Sequence, residues 1–148
     1  MATLAESHAD AAERLVLQEG DVLELASGTY RVRQQLGEGG FGIVHEVAGP
    51  QGGLYAFKVL KLWEIMPRDQ PELADRFVRE YQAGRIDSPY IVRSLYDGQV
   101  NGNPYIVMDF CPGGSLSRSG FHSKGTAGAT ICCLHPYFRS RACSMNLA

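Results

Sequence analysis

A chain of 148 residues with 45% apolar side chains fits one domain with an ordinary core, and nothing in its bulk composition points to global disorder. The net charge of −2 conceals a division: residues 1 to 116 hold ten basic against sixteen acidic side chains, a balance of −6, whereas residues 117 to 148 hold four basic and no acidic ones, a balance of +4. An acidic body of this kind speaks against a general nucleic-acid binder, whose phosphate contacts need a basic face.

The first twenty residues have no basic stretch leading into an apolar core, and no later segment is long and apolar enough to span a bilayer, so the chain is expected in the cytosol, away from membranes. A short helix is expected around Asp10 to Leu17. From Asp21 the period changes to two: Val22, Leu23 and Leu25, then Tyr30, Val32, Gln34 and Leu36 against Arg31, Arg33 and Gln35, the alternation of half-buried strand. A second strand is expected from Phe41 to Ala48. After the turn cluster Gly49-Pro50-Gln51-Gly52-Gly53 comes a third, Leu54 to Leu62.

Met66-Pro67-Arg68-Asp69 breaks the strand pattern, and Asp69 or Gln70 is placed to cap a helix with Pro71 in its first turn, running to about Ile86. Leu73, Phe77 and Tyr81 recur every four residues as its apolar stripe, with Glu80 on or beside that face. Two more strands follow, Ile91 to Val100 and Pro104 to Phe110, joined by the hairpin signal Asn101-Gly102. The order strand, strand, strand, helix, strand, strand predicts an α+β fold: a five-stranded antiparallel sheet with one main helix against it. Beyond Leu116 the periodicity fails and a disordered or loosely packed tail is expected.

The stretch with chemical content is Leu36 to Val44, LGEGGFGIV, followed by Lys58 in an apolar run. Glycines at 37, 39 and 42 let backbone N–H groups approach phosphate oxygens where a Cβ would obstruct them, and a lysine one strand away supplies the matching charge. A lone G-x-G-x-x-G is weak, because the same letters open dinucleotide-binding folds in which a helix follows the glycines. Glu64 even stands about where that rival fold wants a ribose ligand. Here, however, the residues after the glycines alternate like a strand and Gly49-Pro50 ends them before a helix could form.

Together with Ala56-Phe57-Lys58, Glu80 in the following helix and Met108-Asp109-Phe110-Cys111 leading into Gly-Gly-Ser-Leu, these motifs agree in kind, order and spacing with one family. Residues 21 to 116 resemble the N-terminal lobe of a protein kinase, of the serine/threonine, bacterial-like type. The resemblance divides the chain into an N-terminal extension over 1 to 20, the ATP-binding lobe over 21 to 116, and an unrelated tail over 117 to 148. It implies that Lys58 holds the α and β phosphates of ATP, that Glu80 orients Lys58 through an ion pair, and that the backbone of Gly37, Glu38, Gly39, Gly40, Phe41 and Gly42 covers the phosphates. Leu36, Val44 and Ala56 would lie against adenine with Met108 as gatekeeper. The carbonyl of Asp109 and the N–H of Cys111 would read the purine, and Ser115 would approach the ribose.

Plainer roles exist for each. Lys58 could face solvent, Glu80 could pair with Arg76 at i,i+4, and Met108 and Cys111 could be core. His122, Cys132, Cys133, His135 and Cys143 lack the paired knuckle spacing from which a tetrahedral zinc site is built, and the cysteines read as reduced thiols.

The departure from the family lies in what the 148 residues do not contain. None of the histidines at 8, 45, 122 and 135 precedes an arginine, so there is no H-R-D catalytic loop. Asp109-Phe110-Cys111 stands where the lobes would join and is not a metal-binding D-F-G. Without the base and the magnesium ligand, the chain alone is expected to be inactive, with no catalytic residue of its own. The change of composition at 117 suggests a truncated or frame-shifted gene product. The alternative is a non-catalytic, pseudokinase-like module that docks on another protein through the exposed lobe face, expected around Tyr81, Tyr105 and the lobe junction.

Overall fold

The computed structural model describes residues 1–6, 11–89 and 91–112. The expectations for Ser115, for the start of the first helix at Asp10, and for the tail with its histidines and cysteines lie outside the described residues.

Strands β1 (Thr3–Ala5), β2 (Val22–Leu25), β3 (Gly28–Glu38), β4 (Gly42–Ala48) and β5 (Leu54–Leu60) precede helix α1 (Gln70–Gly84), and β6 (Ser94–Val100) and β7 (Asn103–Asp109) follow it. They form a single sheet in the order β1-β2-β3-β4-β5-β7-β6. The expected α+β architecture with one main helix is present, but the sheet has seven strands in place of five and is mixed, because β1 runs parallel to β2. Two features account for the difference. Gly28, at φ 131°, turns the chain at Ala26-Ser27 and splits one expected strand into the β2–β3 hairpin. A three-residue strand such as β1 is too short to show a period.

No helix forms over 11–17. That segment is strapped onto the sheet instead: Glu13 N–H donates to Asn101 O at 2.9 Å, the Asn103 amide donates to Glu13 O at 2.7 Å, and Leu15 is buried in the core. Such partners satisfy the backbone without a helix. Upstream, Asp21 accepts hydrogen bonds from the N–H groups of Ala2 (2.8 Å) and Gln18 (2.9 Å), which hold its carboxyl below the usual range.

Parity places the core on both faces of the sheet. Leu23, Leu25, Tyr30, Val32, Val47, Phe57, Val59, Val100, Tyr105 and Val107 share one cluster with Leu15. Ala56, Leu60, Ile106 and Met108 point the other way and pack with Leu62, Phe77, Val92 and Cys111. Each fully buried Val, Leu, Ile, Phe or Met among them contributes about 1.5–3 kcal/mol through burial. Tyr105, expected on an exposed face, belongs to the first cluster: it is 1% exposed and stacked on Phe57 at 5.1 Å between centroids. Burial and the neighbouring Glu6 carboxylate push its phenol upward.

Asp69 precedes α1 as expected but its side chain caps nothing. Gln70 makes the tie instead, donating to Leu62 O at 3.1 Å and Ile65 O at 3.0 Å, and so anchors the helix to the 3-10 turn Leu62–Glu64. The β6–β7 turn has Asn101 at φ 49° and Gly102 at φ 72°, the left-handed pair that an Asn-Gly hairpin requires. Among the described residues no helix is long and apolar enough to cross a membrane.

Candidate functional site

The glycine run forms the tip of the β3–β4 hairpin. Register shifts between Val32 and Gln34 and between Gln35 and Gly37 interrupt the ladder, and pairing resumes at Gly37 with Val44 and Glu38 with Ile43. At the tip, Gly39 N–H donates to Gly42 O at 2.9 Å, while Lys61 N–H donates to Phe41 O at 2.8 Å. The amides of Gly40 and Phe41 have no backbone acceptor among the described residues. The glycines differ in what they accommodate: a Cβ on Gly37, Gly39 or Gly40 would meet nothing within 4 Å, whereas one on Gly42 would stand 3.0 Å from Val59 O.

Behind this tip is a cleft of about 400 Å³ between the hairpin and α1. Gly37, Glu38, Gly39, Gly40, Phe41, Gly42, Val44, Lys58 and Glu80 line it, which are nine of the residues singled out in the sequence. Lys58 reaches it because β5 alternates. With Phe57 and Val59 turned into the first cluster, Lys58 must project toward α1. There its Nζ meets Glu80 Oε1 at 2.5 Å, with the side chains 24% and 19% exposed, and lies 5.7 Å from the Phe77 ring centroid. Glu80 therefore pairs across the sheet–helix interface. No ion pair joins it to Arg76 among the described residues.

The remaining expectations fall beside the cleft. Ala56 pairs with Met108 across β5 and β7, and both are buried with Cys111 in the cluster against which Val44 packs. Leu36 is half-buried in β3 and does not line the cleft. Asp109 donates its backbone N–H to Arg93 O at 3.0 Å and its carboxylate takes Arg93 Nε at 3.5 Å. Leu60, Leu73, Arg76 and Phe77 also line the cleft, and sequence reasoning had not placed them there. For Leu73 and Phe77 the helical stripe was the available signal. For Arg76 the signal was its i,i+4 spacing from Glu80, which puts both on one face of the helix.

One side chain stands out electrostatically. Lys61, whose side chain is 6% exposed, places Nζ 2.8 Å from Glu64 Oε2 and 2.9 Å from Glu38 Oε1. Its two carboxylate partners, Glu64 ahead of Glu38, hold the ammonium above the ordinary lysine range, and Lys61 in turn holds the Glu38 carboxyl below its own. In β4, His45 is buried with Nδ1 lacking a partner among the described residues, and burial lowers its tendency to protonate.

Geometry of this kind, a glycine turn with unspent amides facing an ammonium held by a carboxylate, suits a polyanionic ligand. No family model matches the chain. Among curated proteins it is similar to the probable serine/threonine-protein kinase pknA2 of Bifidobacterium longum, 29% identical over 112 residues, 74% of this chain and 15% of that protein. It is also similar to the serine/threonine-protein kinase AtPK1/AtPK6 of Arabidopsis thaliana, 31% identical over 111 residues, 70% of this chain and 23% of that protein. Among solved structures, a crystal structure of the Mycobacterium tuberculosis PknI kinase domain superposes with a TM-score of 0.52 at 28% identity, covering 71% of this chain and 40% of that one. The chain thus spans less than a quarter of these curated relatives.

Proposed function

Because this chain belongs to the protein kinase family, in the part that forms the N-terminal lobe, we propose that it binds ATP in the cleft between the glycine turn and α1. The observation that carries the reading is the Lys58–Glu80 pair facing the turn. A lysine with no partner would be a surface charge. One fixed by Glu80 against Phe77 is oriented before any ligand arrives, so little ordering is left to oppose binding. On this reading Lys58 takes the α and β phosphate oxygens, the amides of Gly40 and Phe41 donate to the phosphate chain, and Val44, Ala56 and Met108 offer the apolar surface for adenine, with Leu36 above it. Asp109 O and Cys111 N–H read the purine edge, and Ser115 serves the ribose.

Transfer of phosphate to a serine or threonine hydroxyl also needs a base at the acceptor and a carboxylate on the metal. The 148 residues contain neither H-R-D nor D-F-G. Magnesium, which the family's chemistry implies, would take its protein ligands from the complete domain; among the described residues no three His, Cys, Asp or Glu side chains lie together. The chain by itself therefore serves as the nucleotide-holding half of a cytosolic protein kinase. The complete domain would carry out the transfer, and the lobe face would receive its partner.

Lys58→Met tests this. Removing one charge-assisted contact to phosphate is expected to weaken ATP binding by about 10- to 100-fold while the chain stays folded. The same protein should transfer no phosphate to a generic hydroxyl acceptor. ATP binding that is indifferent to Lys58→Met, or transfer by the isolated chain, would overturn the proposal.

A further inference from the structure

The glycine turn is held from outside the cleft by one residue that the motif does not include. Lys61 touches it twice: its backbone N–H donates to Phe41 O at 2.8 Å, and its Nζ lies 2.9 Å from Glu38 Oε1. The second arm of the same ammonium goes to Glu64 Oε2 at 2.8 Å, on the 3-10 turn Leu62–Glu64. Gln70, the first residue of α1, donates to Leu62 O and Ile65 O on that turn, and α1 carries Glu80 to Lys58. A continuous set of contacts therefore runs from the glycine turn through Lys61 to the helix that orients the phosphate-binding lysine.

We propose that Lys61 is a positioning residue that holds the glycine turn closed over the cleft and sets its distance from α1. This rests on the reading of the cleft as a triphosphate site, which it deepens. The physical need is specific. Glu38 is a carboxylate on the loop that would cover phosphates, and unneutralised it would repel them. Lys61 pairs with that carboxylate and offsets its charge, from a side chain 6% exposed and so little free to wander. Gln35 Nε2, 3.4 Å from Glu38 Oε2, is a weak second tether. Arginine could keep both arms, whereas methionine would keep the packing and lose them.

The experiment uses the full chain in four forms, wild type, Lys61→Met, Lys61→Arg and the double variant Lys61→Met with Glu38→Gln, with two readouts. Hydrogen exchange of the ligand-free protein over residues 37–42 should be about tenfold faster in Lys61→Met and near wild type in Lys61→Arg. ATP affinity should fall about tenfold in Lys61→Met, with adenosine affinity changed much less, and Glu38→Gln added to Lys61→Met should restore part of the loss. Unchanged exchange in Lys61→Met, equal losses for ATP and adenosine, or no rescue by Lys61→Arg would each overturn the proposal. Failure of the wild-type chain to bind ATP would overturn the nucleotide reading, with exchange still deciding whether Lys61 holds the turn.

Discussion

Gly39 and Gly42 carry the same letter in the motif for different reasons. A methyl on Gly39 meets nothing in the folded chain, while one on Gly42 would press on Val59 O, a backbone atom of the neighbouring strand. Gly39→Ala should leave the thermal midpoint unchanged or slightly raised, as for an alanine placed where the backbone accepts it, and should lower ATP affinity about tenfold by crowding the phosphates. Gly42→Ala should cost about 1–3 kcal/mol of stability, because a laddered strand cannot yield as a side chain would. Denaturant unfolding beside nucleotide titration separates the two, and equal effects from both substitutions would contradict this division. The pairing of Lys58 with Glu80 follows from parity: apolar Phe57 and Val59 turn into the first cluster and leave Lys58 on the face toward α1. The contacts of Lys61 were not legible, since its partners Glu38 and Glu64 lie on opposite sides of it in sequence and meet only through the fold.

At the scale of elements, α1 must pack closely enough for Glu80 to meet Lys58, and its last turn shows how close that is. Gly84 is buried against β6, where an added methyl would fall on the Ser94 side chain and stand 3.1 Å from its backbone nitrogen. Gly84→Ala should therefore destabilise the fold by about 1–3 kcal/mol and also weaken ATP binding, by tilting Glu80 away from Lys58. A variant of wild-type stability and affinity would show that the helix position is not set there. The helix itself could be read from the Leu73, Phe77 and Tyr81 stripe, and the β6–β7 hairpin from Asn101-Gly102. What escaped was non-local: β1 depends on β2 for its partner, and in the 11–17 segment Glu13 takes both its backbone bonds from the Asn101–Asn103 turn, ties that no local propensity announces.

Across the whole molecule, the sheet has apolar clusters on both faces, and the cleft opens at the edge of the second, between the β3–β4 tip and α1. Ala56, Met108 and Cys111, proposed for the adenine end, are buried in that cluster, while the residues proposed for the phosphate end line the cleft. The most direct measurement is an ATP titration of the isotope-labelled chain followed by backbone amide NMR. The largest shifts are expected at Gly40 and Phe41, whose amides have no backbone acceptor among the described residues, then at Lys58, with adenosine leaving those three nearly unmoved. Shifts confined to surfaces away from the glycine turn, or none at ATP concentrations in the millimolar range, would contradict that expectation.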